Sequence, residues 1–221
     1  MRVVLKEIGF KNDPAFIEKW LGRDALEQPD FKGLFKQAKK IAKPKALFLE
    51  LGLEAGGKDF VIISGEKFCS QILAKNLSKS PMVFPFAATC GIEIEEWADR
   101  QTGKRKLLSK AIAGLALFQA VKGLDREIIK RHGPGNVCMM NPGSLDDWPL
   151  SEQGPLFALL GDTAEEIGLE LKPDNFMKPE MSASGIKFYA EFQYENCMLC
   201  DKQDCPGRRA EFDAHLFGKY K

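Results

Sequence analysis

Three cysteines near the C-terminus carry the spacing of metal ligands: Cys197, Cys200 and Cys205 form C-x2-C-x4-C within NCMLCDKQDCPGRR. Two thiolates three positions apart can bend around one metal centre, and a third five residues later can close most of its coordination shell. The chemistry would be an iron–sulfur cluster or a zinc site, and spacing alone does not choose between them. A proline directly after the last thiol, Pro206 here, occurs in some ferredoxin-type runs. The plainer alternative is three thiols with no ligand, a liability toward oxidation. A fully ligated zinc or 4Fe-4S cluster needs a fourth donor, and the candidates are Cys69, Cys90, Cys138 and His215. EKFCSQIL reads as a helix, which makes Cys69 a core residue. Cys90 follows a strand beside Gly91, Cys138 sits just before an Asn-Pro-Gly turn, and His215 could fold back from the end of the chain.

Residues 141–149, NPGSLDDWP, are dense in turn formers around a large aromatic. As a ligand-binding loop, Asn141, Pro142, Gly143 and Ser144 would line a shelf for a flat cofactor together with the Trp148 indole. As an ordinary loop, Trp148 would plug the core. The Gly-rich pieces at 52–57 and 133–135 lack the P-loop lysine and the dinucleotide spacing. With no G-x-S-x-G, no H-E-x-x-H and 2 histidines, hydrolytic triads and histidine-rich metal sites are disfavoured. Glu93, Glu95 and Glu96 read as a solvated helix face. Arg208 and Arg209 read as a solvated tail, or as cations flanking an anion.

The elements that must position these residues mix helices and strands. A strand is expected at 1–5, then a helix over 15–21 that Asp13 caps and Pro14 starts. The spacing of Phe31, Leu34, Phe35, Ala38 and Ile41 predicts a helix over 31–42 that Pro44 stops. Strands at 45–53 and 60–63, joined through Gly56-Gly57, suggest a hairpin. A helix is expected over 66–77, then a buried strand MVFPFAAT at 82–89, where Pro85 argues for an edge or a distortion. Helices follow at 92–99, 106–124 and 150–160, and strands at 136–140, 168–171 and 185–192. There is no strict strand–helix–strand rhythm, so the expected class is α+β: one domain with a bent, mainly antiparallel sheet flanked by helices, over 1–195, with a cysteine-rich metal-binding tail over 196–221 packed on it.

Composition sets the bounds. A chain of 221 residues buries roughly 70% of its unfolded surface and needs no disulfides for a core. Lys and Arg number 32 against 31 for Asp and Glu, a net charge of +1, so nothing asks for nucleic acid or an anionic membrane. No apolar stretch is read as approaching the ~20 residues of a membrane span. The N-terminus lacks the pattern of a secretory signal, so a cytoplasmic setting is expected, where clustered thiols more often bind metal than pair.

Two segments resemble a known family. NPGSLDDWPLSEQGPLFALLGD and IGLELKPDNFMKPEMSASGI are similar to the activation domain of cobalamin-dependent methionine synthase and its small stand-alone relatives. The resemblance rests on Pro142, Gly143, residues 148–150 and 153–157, then Met177, Pro179, Ser182, Ser184 and Gly185, and more loosely on FAATCGIEIEEW; it spans about residues 40–195. It implies an α+β fold around a bent antiparallel sheet and a part in reductive reactivation, in which cob(II)alamin on a corrinoid protein or methyltransferase is reduced by one electron and methylated from S-adenosylmethionine. Met139 and Ser144 stand where the family has an arginine and a tyrosine that help hold S-adenosylmethionine, so the resemblance implies weak or absent binding of it here. The expectation is then that a cluster on Cys197, Cys200 and Cys205, with Cys138, adjoins the vacated site and hands an electron to cob(II)alamin; the alternatives are reductive methylation from S-adenosylmethionine, or a zinc-stabilised, non-catalytic adaptor for a corrinoid methyltransferase. Cluster potentials run from about −700 to +450 mV, whereas zinc has no redox chemistry.

Overall fold

The structure, a computed structural model, describes residues 1–27, 29–202, 204–205 and 208–220. In chain order the elements are β1 (Arg2–Leu5), α1 (Pro14–Leu21), α2 (Pro29–Ile41), β2 (Lys45–Leu49), β3 (Leu51–Gly52), β4 (Ala55–Gly56), β5 (Phe60–Ile63), β6 (Glu66–Cys69) and α3 (Gln71–Leu77). Then come β7 (Met82–Thr89), α4 (Ile92–Asp99), α5 (Gly103–His132), β8 (Asn136–Met140), α6 (Gln153–Leu160), α7 (Thr163–Ile167), β9 (Glu170–Leu171), β10 (Met177–Lys178), β11 (Ser182–Ala190) and α8 (Ala214–Tyr220). The fold is α+β. Its main sheet is antiparallel, in the order β1-β2-β7-β11-β8, with β3 also on β7.

β7 lies at the centre of this sheet, not at an edge. Seven of its eight residues are buried, which the run MVFPFAAT supplies by being apolar on both faces. Pro85 is accommodated by a gap. β2 and β3 pair with β7 in one register, but the ladder lapses between Phe48↔Phe86 and Leu51↔Val83, beside the residue with no N–H to give. On the other side of β2 the β1 register simply continues, the Glu50 N–H donating to the Met1 carbonyl at 2.7 Å.

Two further expectations fail on strand pairing, β2 being taken by the distant β1 and β7 and residues 66–69 by the neighbouring β5. β2 does not form a hairpin with β5; β5 instead pairs with β4 and β6 in a separate small sheet. Residues 66–77 are not one helix. β6 forms because Phe68 pairs with Val61 and is fully buried, and only then does Ser70 cap α3, its side chain accepting from the Leu73 N–H. Cys69 thus ends a strand and is exposed, rather than sitting in a helical core.

Helices cover both faces of the main sheet. On one face Ala120, Leu124 and Ile128 of α5 meet Phe48, Phe84 and Phe86. Further toward its start, Leu108, Ile112 and Leu115 pack with Ile17 of α1, Phe31 and Leu34 of α2 and Ile94 of α4. By length and composition α5 is apolar enough to cross a membrane, which corrects the expectation that no stretch comes near; half of its most apolar window is buried, as a core helix requires. The other face carries Leu47, Val83, Cys138, Met140, Ile186 and Phe188 against α3, α6 and Trp148. Leu199 and Leu216, from beyond the last strand, belong to that same core. Burying each contributes about 1.5–3 kcal/mol, enough to moor the end of the chain.

Candidate functional site

β8 delivers the chain directly into the 141–148 loop. The Gly143 N–H donates to the Trp148 carbonyl at 2.7 Å, the Ser144 N–H to the Asn141 carbonyl at 3.2 Å and the Trp148 N–H to the Leu145 carbonyl at 3.1 Å. Gly143 takes φ 80°, and a Cβ there would meet the Leu150 side chain at 3.1 Å, so glycine is the fitting residue. Pro142 is buried, Asn141 half-buried, and Gly143 and Ser144 exposed.

The residues that carry the resemblance meet at the base of this loop. Asn141 Nδ2 donates to the Ser184 carbonyl at 2.7 Å, and Ser184 Oγ donates to Gln153 Oε1, also at 2.7 Å. Ser184 and Gln153 are both buried, so these bonds satisfy groups that would otherwise be costly. Gly185 lets the strands close: a Cβ there would stand 2.1 Å from the Met140 carbonyl oxygen. Asp147 then fixes the loop's outer limb by accepting from the Ser70 hydroxyl and from the N–H groups of Gln71 (3.2 Å) and Ile72 (3.0 Å). Sequence reasoning missed Asp147, whose only signal was the capping serine it bonds. Trp148 is fully buried, edge-on to Phe68 with ring centroids 6.3 Å apart. Its indole is a core plug and presents no shelf to a flat cofactor.

The proposed metal ligands are not assembled. Cys138 is 1% exposed; its thiol accepts from the Tyr194 N–H at 3.1 Å and donates to the Phe192 carbonyl at 3.5 Å, and burial raises its pKa. Cys90 is fully buried, bonded to the Gly91 carbonyl, and desolvation pushes its thiol far up. Cys197 and Cys200 are half-buried, Cys205 is exposed, and Pro206 lies outside the described residues. His215 is exposed on α8. Among the described residues, no three His, Cys, Asp or Glu side chains are grouped to hold a metal ion.

A guanidinium organises the tail instead. Arg208 Nη1 donates to the carbonyls of Cys197 (3.1 Å) and Ala210 (2.9 Å), and Nη2 to those of Cys200 (2.8 Å) and Lys202 (2.7 Å). The Arg209 N–H donates to Cys197 Sγ at 3.3 Å, and its side chain pairs with Glu195 at 3.1 Å. Arg208 is therefore an internal pin, not a solvated or anion-flanking cation. Of the supposed solvated carboxylates, Glu95 is 2% exposed and accepts from the Met181 N–H at 2.8 Å, tying α4 to the approach to β11.

One buried cation also escaped the sequence. Lys187, 2% exposed, lies across the β8–β11 ladder from Met139 and places Nζ 2.6 Å from Asp125 of α5. Desolvation lowers its pKa, with Asp125 opposing. Its signal was a lysine within the apolar run at 186–190 of β11.

No family model matches the chain, and no curated protein matches it in sequence. Among solved structures it matches the crystal structure of the MetH reactivation domain bound to AdoHcy, with a TM-score of 0.61 and 17% identity, over 88% of this chain and 80% of that one. The likeness is one of fold: the protein is built as that reactivation domain is, from an open antiparallel sheet flanked by helices.

Proposed function

We propose that the chain is a corrinoid-reactivation module. It docks on a corrinoid protein or cobalamin-dependent methyltransferase and supports the return of cob(II)alamin to its working state, residues 1–195 forming the docking domain and 196–221 its tail. The observation that carries this reading is the near whole-chain match in fold to a reactivation domain. The convergence of Asn141, Gln153, Ser184 and Gly185 supports it by making the 141–148 loop a fixed feature, with Gly143 and Ser144 as its accessible surface. The test titrates free cob(II)alamin with the full chain under anaerobic conditions and follows its absorbance spectrum. A saturable change is expected, and an unchanged spectrum at excess protein would overturn the reading.

A second reading, reductive methylation from S-adenosylmethionine, is favoured by the AdoHcy on the neighbouring structure. Against it stand Met139 and Ser144, which bring neither cation nor phenol to the loop. Calorimetry with S-adenosylmethionine separates the two readings, the first predicting little or no heat. The finer idea that Cys197, Cys200, Cys205 and Cys138 hold an iron–sulfur cluster or zinc rests on spacing. The residues present do not fit it: Cys138 is bonded to backbone at 192 and 194, and the tail closes around Arg208.

A further inference from the structure

The C-x2-C turn has a chemistry available without a metal. Asn196–Leu199 is one 3-10 turn, and the N–H of its capping residue Cys200 donates to the Cys197 carbonyl at 3.3 Å. In such a turn side chains three positions apart eclipse one another, and the Cα atoms joined this way lie within about 7 Å. That is the separation a disulfide spans. The turn is held from below, because Asn196 is 3% and Leu199 4% exposed while Cys197 and Cys200 stay partly open. It is held from the side as well, since Arg208 bonds the carbonyls of both cysteines and the Arg209 N–H caps the Cys197 sulfur.

We propose that Cys197 and Cys200 form a redox-active dithiol whose substrate is the disulfide of a low-molecular-weight thiol. One cysteine thiolate attacks a sulfur of the incoming R–S–S–R; that S–S bond breaks and the departing thiolate takes up a proton. The second cysteine thiolate then attacks the mixed disulfide, the Cys197–Cys200 bond closes, and the second RSH leaves. Two electrons and two protons pass from the protein to the disulfide, and excess RSH drives the reverse. Where a disulfide occurs in a reducing compartment, such transient exchange is its usual role. The inference stands apart from the corrinoid reading.

The test incubates the anaerobically purified full chain in graded mixtures of oxidised and reduced glutathione, alkylates the remaining thiols and digests with trypsin. Cleavage after Lys187 and Lys202 puts Cys197 and Cys200 in one peptide and Cys205 in another. The expected product is the 188–202 peptide, unalkylated and two hydrogens lighter, forming with at least about tenfold less oxidised glutathione than any product at Cys69 or Cys205. Cys205→Ser leaves that conversion unchanged, while Cys200→Ser stops at a glutathione adduct on Cys197. Three outcomes overturn the proposal: adducts without internal closure, a Cys200–Cys205 bond in preference, or stoichiometric iron or zinc that shields both thiols until it is chelated away.

Discussion

The base of the 141–148 loop and the cysteine tail share one core cluster, yet they are held by different means. At the loop base the contacts are specific to side chains: Asn141, Ser184 and Gln153 bond in series, and only glycine at 185 lets the strands meet. In the tail the grip is generic. Two leucines are buried, and one guanidinium holds four backbone carbonyls that any sequence would provide. The amide of Asn196, though 3% exposed, has no hydrogen-bond partner among the described residues. Over-determined packing fixes a single arrangement, whereas elements with few exclusive contacts open at lower cost. The loop base is therefore the rigid one of the two, and the tail opens at lower cost.

That contrast can be broken by mutation. Gly185→Ala should be the most damaging change, because the Cβ would meet backbone rather than a movable side chain. A loss of about 3 kcal/mol is expected in urea unfolding, and a loss below about 1 kcal/mol would mean the strands at the loop base have slack. Arg208→Ala should cost about 1–2 kcal/mol, confined to the tail. Hydrogen exchange at residues 197–210 should accelerate while the global unfolding midpoint holds, and Arg208→Lys should not rescue it, because an ammonium lacks the planar fork. An equal fall in the global midpoint would show that the tail is as integral as the loop base.

The smallest effect calibrates an ion pair outside both regions. Glu50 accepts from Arg131 at 2.5 Å and sits 3.0 Å from His132. The Arg131 hydrogen bond, with help from His132, holds its carboxyl below the ordinary value of 4.5 against some desolvation. Its folded pKa being depressed, the contribution is complete above pH 4.5 and fades as pH falls through the folded value. Glu50→Gln should therefore lower stability by about 0.5–1 kcal/mol at pH 7, and the gap from the parent chain should narrow on titration into the acid range. A gap that persisted there would assign the effect to packing rather than charge.

Much of the helical framework was legible because it is local. Asp13 and Pro14 start α1 as their types demand, the Asp13 side chain accepting from the Phe16 N–H at 3.1 Å. The stretch around Cys69 misled because EKFCSQIL suits either a helix or a strand, and pairing of β6 with β5 decided it. Pro85 suggested an edge or a distortion; the strand is central and a gap in β2–β3 takes up the strain. At the candidate site, the spacing of Cys197, Cys200 and Cys205 was plain, but the partner of Cys138 was not. A thiol's surroundings depend on which distant segment folds over it, and here that segment is residues 192–194.

The amino-acid sequence by itself determined what covalent adjacency enforces: helix starts, the glycine turn after Pro142, and two thiols within a single turn at 197–200. Tertiary structure alone decided that Trp148 is a plug, that Lys187 meets Asp125, and that Arg208 sits where a metal was expected. Neighbours a few bonds apart have little room to separate, whereas partners more than ten residues apart meet only where packing brings them together.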